Sequence, residues 1–288
     1  MRYNDSRNYA YVILCCVIVA LCFSPISGCT RKSCPAPYSY HQSPPPAATP
    51  STPPPLGQPP ALNRKGTTVL QQKLAKIDTP GDVTHEVGPL ETIWRLSKMY
   101  GVPMDDIYAA NGLRPGDTIK NGQKLIIPNA RAIKHVVTLY PGNNWKYIII
   151  HHTGTEIGNA NIIHRSHGDR GFWQGLGYHF LIDNGTLGKG DGQIEMSPRW
   201  IKQQSGAHCK AGGMNETGIG VALVGNFNQE PPTARQIESL NYLLRMLSNY
   251  YHISSSNIMG HRDVPGANTD CPGRRFPWPV IRQALSKY

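Results

Sequence analysis

The sequence predicts an α/β fold: a mixed central β-sheet flanked by helices, with a small βααβ module ahead of it. Three observations carry this. Short apolar runs at 146–151, 177–183, 219–225 and 256–260 read as buried strands. Ile237, Leu240, Leu244, Leu247 and Tyr251 repeat at three and four residues, the period of a helix over 234–250, with Thr233 as N-cap and Gln236 three positions on. From about residue 135 onward strands alternate with helices, the last helix running from Trp278 to Lys287. That alternation is the pattern of a sheet covered by helices.

At 288 residues the chain has room for two domains with extensions. Only 16% of residues are charged, yet the net charge is +11. No basic stripe, recognition helix or aromatic RNA-binding motif accompanies that excess, so nucleic acid is not an expected partner. The charge suits an envelope protein drawn to anionic wall polymers or lipid headgroups.

The N-terminus reads as an address. Arg2 and Arg7 give a positive start, Tyr9 to Phe23 is almost wholly apolar, and Pro25-Ile26-Ser27-Gly28-Cys29 follows. The apolar stretch is short for a span of about 20 residues. Ile26-Ser27-Gly28-Cys29 resembles a bacterial lipobox, whose cysteine is lipidated before cleavage. The resemblance implies a signal peptide over 1–29, lipidation of Cys29 and a membrane anchor. An uncleaved anchor helix and a plain signal peptide are the alternatives. Thr30, where an Asp would suggest inner-membrane retention, points to the outer membrane and periplasm. Seven cysteines make no disulfide framework: Cys15, Cys16 and Cys22 lie in the apolar run, and Cys29, Cys34, Cys209 and Cys271 are scattered. A Cys34–Cys209 pair stays open.

Residues 30–82 read as a proline-rich linker. Pro44-Pro45-Pro46 and Pro53-Pro54-Pro55 favour extended polyproline II geometry and cannot bury a core. Val69, Leu70, Leu74 and Ile77 have roughly helical spacing, but the run is short and stays with the linker.

Residues 83–128 read as strand, helix, helix, strand. Val83 to Val87 alternates as a short strand. Ile93, Leu96 and Tyr100 share one helical face, which Gly101 ends; Asp105 to Ala110 is a second helix, and Gly122 to Pro128 a closing strand. His85-x-Val87, Thr92-Ile93-Trp94, Tyr100-Gly101-Val102, Ala110-Asn111 and Gly122-Gln123-x-Leu125-x-Ile127-Pro128 together resemble a LysM domain. The resemblance implies binding to N-acetylglucosamine-containing glycan such as peptidoglycan. The segment departs from that family at Leu90-Glu91, where Gly-Asp is usual. Trp94 and Tyr100 read as core rather than as sugar platforms.

The chemistry gathers in 135–288. His151 ends the run Tyr147-Ile148-Ile149-Ile150, His261 follows Asn257-Ile258-Met259-Gly260, and Cys271 lies ten residues on. Two imidazoles and a thiolate suit zinc, and three protein ligands leave a fourth position for water, the arrangement of a hydrolytic rather than a structural site. Spacing alone leaves ordinary core histidines and an inert buried cysteine as alternatives. Six motifs bear on that choice: Ile149-Ile150-His151-His152-Thr153, Gly177-Tyr178-His179-Phe180, Gly206-Ala207-His208, Gly218-Ile219-Gly220-Val221-Ala222-Leu223, Gly260-His261-Arg262-Asp263 and Thr269-x-Cys271-Pro272-Gly273. In this order they closely resemble the type-2 N-acetylmuramoyl-L-alanine amidases, including peptidoglycan recognition proteins and phage T7 lysozyme.

That resemblance implies one Zn2+ per chain held by His151, His261 and Cys271. The reaction it implies is hydrolysis of the amide between the lactyl group of muramic acid and L-alanine. Tyr178 matches the catalytic tyrosine, and alternation sends His179 to the opposite face. Thr269 stands where some relatives have lysine, and its implied role is a hydrogen bond to oxyanion or water. His208 matches a histidine of the substrate groove, implying contact with the stem peptide; a plain surface histidine is the alternative. His152 should face away from the ligands, His164 and His167 read as solvated on a surface helix, and Arg262 and Asp263 as scaffold. Another branch of the family has a glutamate base where this chain has Ala222, which leaves the general base open. The whole predicts a lipid-anchored, monomeric amidase of the bacterial envelope acting on peptidoglycan glycan and stem peptide, the alternative being a binding protein of the same fold.

Overall fold

The computed structural model describes residues 66–172 and 174–286. Cys29, Cys34 and the proline-rich segment before residue 66 therefore lie outside the described residues. Among the described residues no helix is long and apolar enough to cross a membrane.

Two sheets organise the chain. The first is a two-stranded antiparallel ribbon of β1 (Thr68–Glu86) and β2 (Lys124–Leu139). Between its strands sit α1 (Ile93–Tyr100) and α2 (Met104–Ala110). Thr92 caps α1 by accepting from the Arg95 amide, and Gly101 closes it in the left-handed region (φ 70°), a conformation glycine adopts without steric cost. Leu96, Ile107, Leu125 and Ile127 are fully buried between helices and ribbon, with Tyr100 among them as core.

The ribbon corrects the linker reading. From Thr68 onward the backbone pairs with residues up to Leu139, a partner segment whose strand character the sequence does not announce. Val69 packs against the small module and Leu70 against the large core, so the two serve opposite faces of a strand rather than one stripe of a helix. Pro128 does not end β2. It falls where the register shifts between Gly81 and Val83, and a bulge is where a residue without an N–H is tolerated.

The second sheet has five strands in the order β5-β4-β6-β3-β7. These are β3 (Tyr147–His152), β4 (Phe180–Asn184), β5 (Asp191–Met196), β6 (Gly218–Leu223) and β7 (Ile258–Gly260). β3 runs parallel to both β6 and β7, β4 runs parallel to β6, and only edge strand β5 is antiparallel. The sheet is mixed, as predicted. Four other helices matter here: α3 (Ala160–Asp169), α4 (Pro198–Lys202), α6 (Ala234–Tyr251) and α7 (Trp278–Leu285), with one short turn, α5 (Met214–Thr217), between. The predicted capping box forms at Thr233 and Gln236. Leu240, Leu243, Leu244 and Leu247 of α6 are fully buried against Ile148, Ile150, Phe180 and Trp200. Each such leucine contributes roughly 1.5–3 kcal/mol by leaving water.

β5 was not expected. Its sequence, Asp191-Gly192-Gln193-Ile194-Glu195-Met196, lacks an apolar run because the polar Gln193 and Glu195 are buried, Glu195 at a polar junction with the small module. Lys189 Nζ lies 2.9 Å from Glu195 Oε2 and donates to the Glu86 carbonyl at 2.8 Å. Asn161 donates to Glu86 Oε1 at 2.6 Å and to the Val87 carbonyl at 2.9 Å. Arg95 reaches from α1 to the carbonyls of Val136 and Ile194. Glu91 meets His85 Nε2 at 2.8 Å and Arg95 Nε at 3.5 Å. Burial opposes its charge, yet His85, Lys189 and Arg95 together hold its carboxyl well below the usual carboxylate range. Asp183 behaves oppositely: burial and neighbouring Glu195 push it well above that range. The small module is thus fused to the large one through paired, desolvated charges.

Two predictions follow from this packing. Lys189→Met leaves Glu195 buried without its cation, and losing one member of such a pair costs about 3–5 kcal/mol. Urea denaturation should show that loss; a change below about 1 kcal/mol would contradict the junction. The second concerns acid. Burial pushes His135 and His179 down to about 4, Arg95 adding to the effect at His135. Unfolded histidine titrates near 6.5, so above that pH both states are neutral and nothing is gained. Between about 6.5 and 4 the unfolded chain takes up protons that the fold refuses, and stability falls as pH falls. Each histidine should cost about 2 kcal/mol by pH 5. A denaturation midpoint unchanged between pH 7 and 5 would count against this.

Candidate metal centre

β3 carries the first donor because of how it is buried. Ile148 and Ile150 face the leucines of α6, while Ile149 faces Cys209, Met214 and Val264. His151 shares the Ile149 face by alternation. The pairing of Ile150 with Gly260 then sets the residue just past β7, His261, beside His151, with ring centroids 4.7 Å apart. Asp263 accepts from the Gly260 amide at 3.0 Å and shapes the turn that carries His261. Cys271 returns to the same point: its carbonyl accepts from the Arg262 amide at 2.8 Å, and its sulfur lies 3.6 Å from His151 Nδ1.

One donor atom from each of His151, His261 and Cys271 lies within 4.8 Å of the others. Two nitrogens and a sulfur at about 2.0–2.3 Å from a single tetrahedral ion stand roughly 3.3–3.8 Å apart, so the three fit zinc with small side-chain adjustments. Burial, with His208 and His261 nearby, holds His151 far below its ordinary value, and burial lowers His261 as well. Both rings therefore offer lone pairs at neutral pH. Burial pushes the Cys271 thiol up to about 12, opposed by the His152 amide, which donates to its sulfur at 3.4 Å. A bound cation deprotonates such a thiol, so metal uptake releases a proton.

Tyr178 stands beside this cluster, its ring 5.1 Å from that of His151. Burial, reinforced by Cys271, pushes its phenol well above the ordinary value, which keeps it a hydrogen-bond donor. The His179 ring packs among Trp145 and Trp200, in the bend ahead of β4 rather than within the strand, so strand alternation is not what directs it. The Thr269 hydroxyl accepts from the Cys271 amide at 3.2 Å and fixes the sulfur-bearing turn. The His152 ring turns away from the donors, and its Nδ1 accepts from the Phe227 amide at 3.0 Å. Ala222 pairs with His151 across β3 and β6 and belongs to an apolar cluster with Ala160, Ile163, Leu176, Leu181 and Val224, so no carboxylate enters from there. Cys209 is a free, buried thiol.

Three histidines differ from expectation, the first being His164, which is half-buried and whose Nδ1 accepts from the Leu176 amide at 3.3 Å. His208 is only 8% exposed rather than a surface residue: both ring nitrogens are engaged inside the protein, one with His151 and one with a backbone carbonyl. His167 is buried rather than solvated. Its Nδ1 accepts from the Gly177 amide at 3.0 Å and its ring lies 5.4 Å from that of Tyr178, so it braces the turn that delivers the tyrosine. A signal existed for His167, which follows buried Ile163 by four residues on one helical face.

Comparison with known proteins agrees with this geometry. The family profile described as N-acetylmuramoyl-L-alanine amidase matches residues 141–274, and that of the LysM domain matches residues 85–128. Peptidoglycan-recognition protein SC1a/b of Drosophila simulans is 34% identical over 161 residues, spanning 53% of this chain and 79% of that protein. The chain belongs to the N-acetylmuramoyl-L-alanine amidase and peptidoglycan-recognition protein family. Peptidoglycan-recognition protein SC2 of Drosophila melanogaster is 33% identical over 152 residues, covering 49% of this chain and 74% of its own length. Among solved structures, N-acetylmuramoyl-L-alanine amidase LysC from Clostridium intestinale URNW aligns with 36% identity and a TM-score of 0.43, over 50% of this chain and 87% of that one. Membership in this amidase family, with a LysM domain ahead, supports a peptidoglycan-binding or amidase function.

Proposed function

We propose that this protein is a zinc-dependent N-acetylmuramoyl-L-alanine amidase that hydrolyses the lactyl–L-alanine amide of peptidoglycan. The observation that carries this reading is the convergence of His151, His261 and Cys271 within 4.8 Å, with the Tyr178 ring 5.1 Å from that of His151. These three residues would hold the zinc, which when bound lowers the pKa of a water and polarises the scissile carbonyl. Tyr178 keeps its proton and donates a hydrogen bond to the oxygen that gains charge as the carbonyl becomes tetrahedral. Thr269 holds the Cys271 turn through the backbone and offers its hydroxyl proton to the same region. With Ala222 in place of a carboxylate, the protons leaving water and reaching the departing amine travel without a glutamate at that position. The LysM domain binds the glycan, and its fused junction keeps bound wall close to the site. Cys29 carries the lipid anchor, and the protein works as a monomer in the bacterial envelope, on the periplasmic side of the outer membrane.

Purified protein incubated with peptidoglycan should release peptides that begin with L-alanine, seen by mass spectrometry of the products. Chelation should remove the activity and zinc restore it. Cys271→Ala should lose it altogether while still binding wall through LysM. Activity that survives both treatments would refute the proposal in favour of binding without metal hydrolysis. Fragments cut at a peptide cross-link would reassign the bond.

Tyr178→Phe removes one donor to the oxyanion, and comparable losses lower turnover by about 100- to 1,000-fold. KM should move little in that variant, since the carbonyl gains its charge only on the way to the transition state. A variant within twofold of wild type would remove Tyr178 from the mechanism. Growth with labelled fatty acid tests the anchor: label should enter the wild type and not Cys29→Ala.

A further inference from the structure

His208 makes two contacts that fix each other. Its Nε2 lies 3.2 Å from the Gly218 carbonyl, and its Nδ1 lies 3.1 Å from His151 Nε2. A carbonyl oxygen only accepts, so the proton of this neutral ring sits on Nε2 and Nδ1 is a bare acceptor. His151 must then donate from Nε2, which leaves its Nδ1 lone pair facing Cys271 Sγ at 3.6 Å. One backbone carbonyl thereby selects the tautomers of two rings in series.

The surroundings are shaped for this imidazole. A Cβ on Gly206 or on Gly220 would overlap the His208 ring, and neither glycine has a positive φ. Space, not backbone freedom, therefore requires glycine at both positions. Asn215 Oδ1 accepts from the amides of His208 and Cys209 at 2.8 and 2.9 Å and anchors the ring's base. The rings of His208 and His151 meet edge to face, 5.1 Å apart.

We infer that His208 is a positioning residue for the metal centre: anchored on the Gly218 carbonyl, it holds His151 in the Nε2–H tautomer and commits Nδ1 to the metal. The inference rests on the zinc site proposed above. Metal-binding histidines generally donate their second N–H to an oriented partner, and losing that partner weakens binding about 10- to 100-fold. Here the partner is itself a histidine, used through its unprotonated nitrogen.

Nitrogen NMR of histidine-labelled apo protein should show both His151 and His208 protonated on Nε2; His151 protonated on Nδ1 would overturn the inference. Zinc dissociation constants from competition with a chromophoric chelator give a second measure. His208→Phe keeps a ring in the slot but no acceptor, and its constant should rise about 10- to 100-fold. His208→Asn puts an amide oxygen near the lost Nδ1 and should recover most of that difference. A His208→Phe constant equal to that of wild type overturns the inference. Should His208→Phe fail to fold, the wild-type spectrum decides alone. Wild-type protein that takes up no zinc would defeat the proposed function, while the apo tautomers would still settle the role of His208.

Discussion

Parallel pairing at the end of β3 is the constraint on which the site depends. β3 sits between β6 and β7, buried on both faces, and its register sets Ile150 opposite Gly260 and His151 opposite Ala222. Ligands of open α/β sheets gather beyond the carboxyl ends of parallel strands, where chains leave the sheet and side chains are released from ladder packing. His151 near the end of β3 and His261 just past the end of the adjacent β7 stand at that exit. A slip of one residue would turn His151 toward the leucines of α6 and Ile150 toward the sulfur. The run Ile148-Ile149-Ile150 suits either face, so what opposes the slip is the cost of burying the His151 imidazole among the leucines.

The second organising contact is the polar junction between the LysM domain and the sheet. Leu90-Glu91 departs from the usual Gly-Asp of LysM sequences, and the structure shows the consequence of each half. Leu90 adopts φ 62°, a left-handed conformation that suits glycine, and leaves its side chain 46% exposed. Glu91 accepts from the Gly88 amide at 2.7 Å, keeping the turn, while its carboxylate joins His85 and Arg95 at the junction. The extra methylene relative to aspartate reaches two partners inside the LysM domain itself, His85 and Arg95, while Lys189 adds its charge from nearby. Buried ion pairs add little net stability over apolar packing, but they tolerate few alternative arrangements. On this reading the junction specifies where the LysM domain sits more than it strengthens the fold.

Legibility tracked whether a residue's surroundings were apolar. The strands β3, β4, β6 and β7, helix α6 and the donors at its margins announced themselves because aliphatic periodicity marks burial from either face. β5 did not, since Gln193 and Glu195 are polar residues that are nonetheless buried, Glu195 against Lys189 and the Ala160 amide. β1 before Val83 did not, since its partner lies beyond Pro128, which reads locally as a stop. His208 was singled out through its motif, but its burial beside His151 was not legible. Only Gly206 and Gly220 hinted at an enclosed ring, and a glycine does not say which neighbour needs the space.

The Ala222 position closes the argument about proton handling. Its side chain lies on the His151 face of the sheet, in an apolar cluster against which Tyr178 is packed. A carboxylate there would have to ionise within that cluster, at a high desolvation cost unless a cation paired with it. The chain instead keeps the wall apolar, and the same burial raises the Tyr178 phenol and holds its proton in place through neutral pH. His167 then aims that phenol by gripping the Gly177 amide. An apolar wall at residue 222 and a phenol that keeps its proton are thus both consistent with the burial of this part of the site.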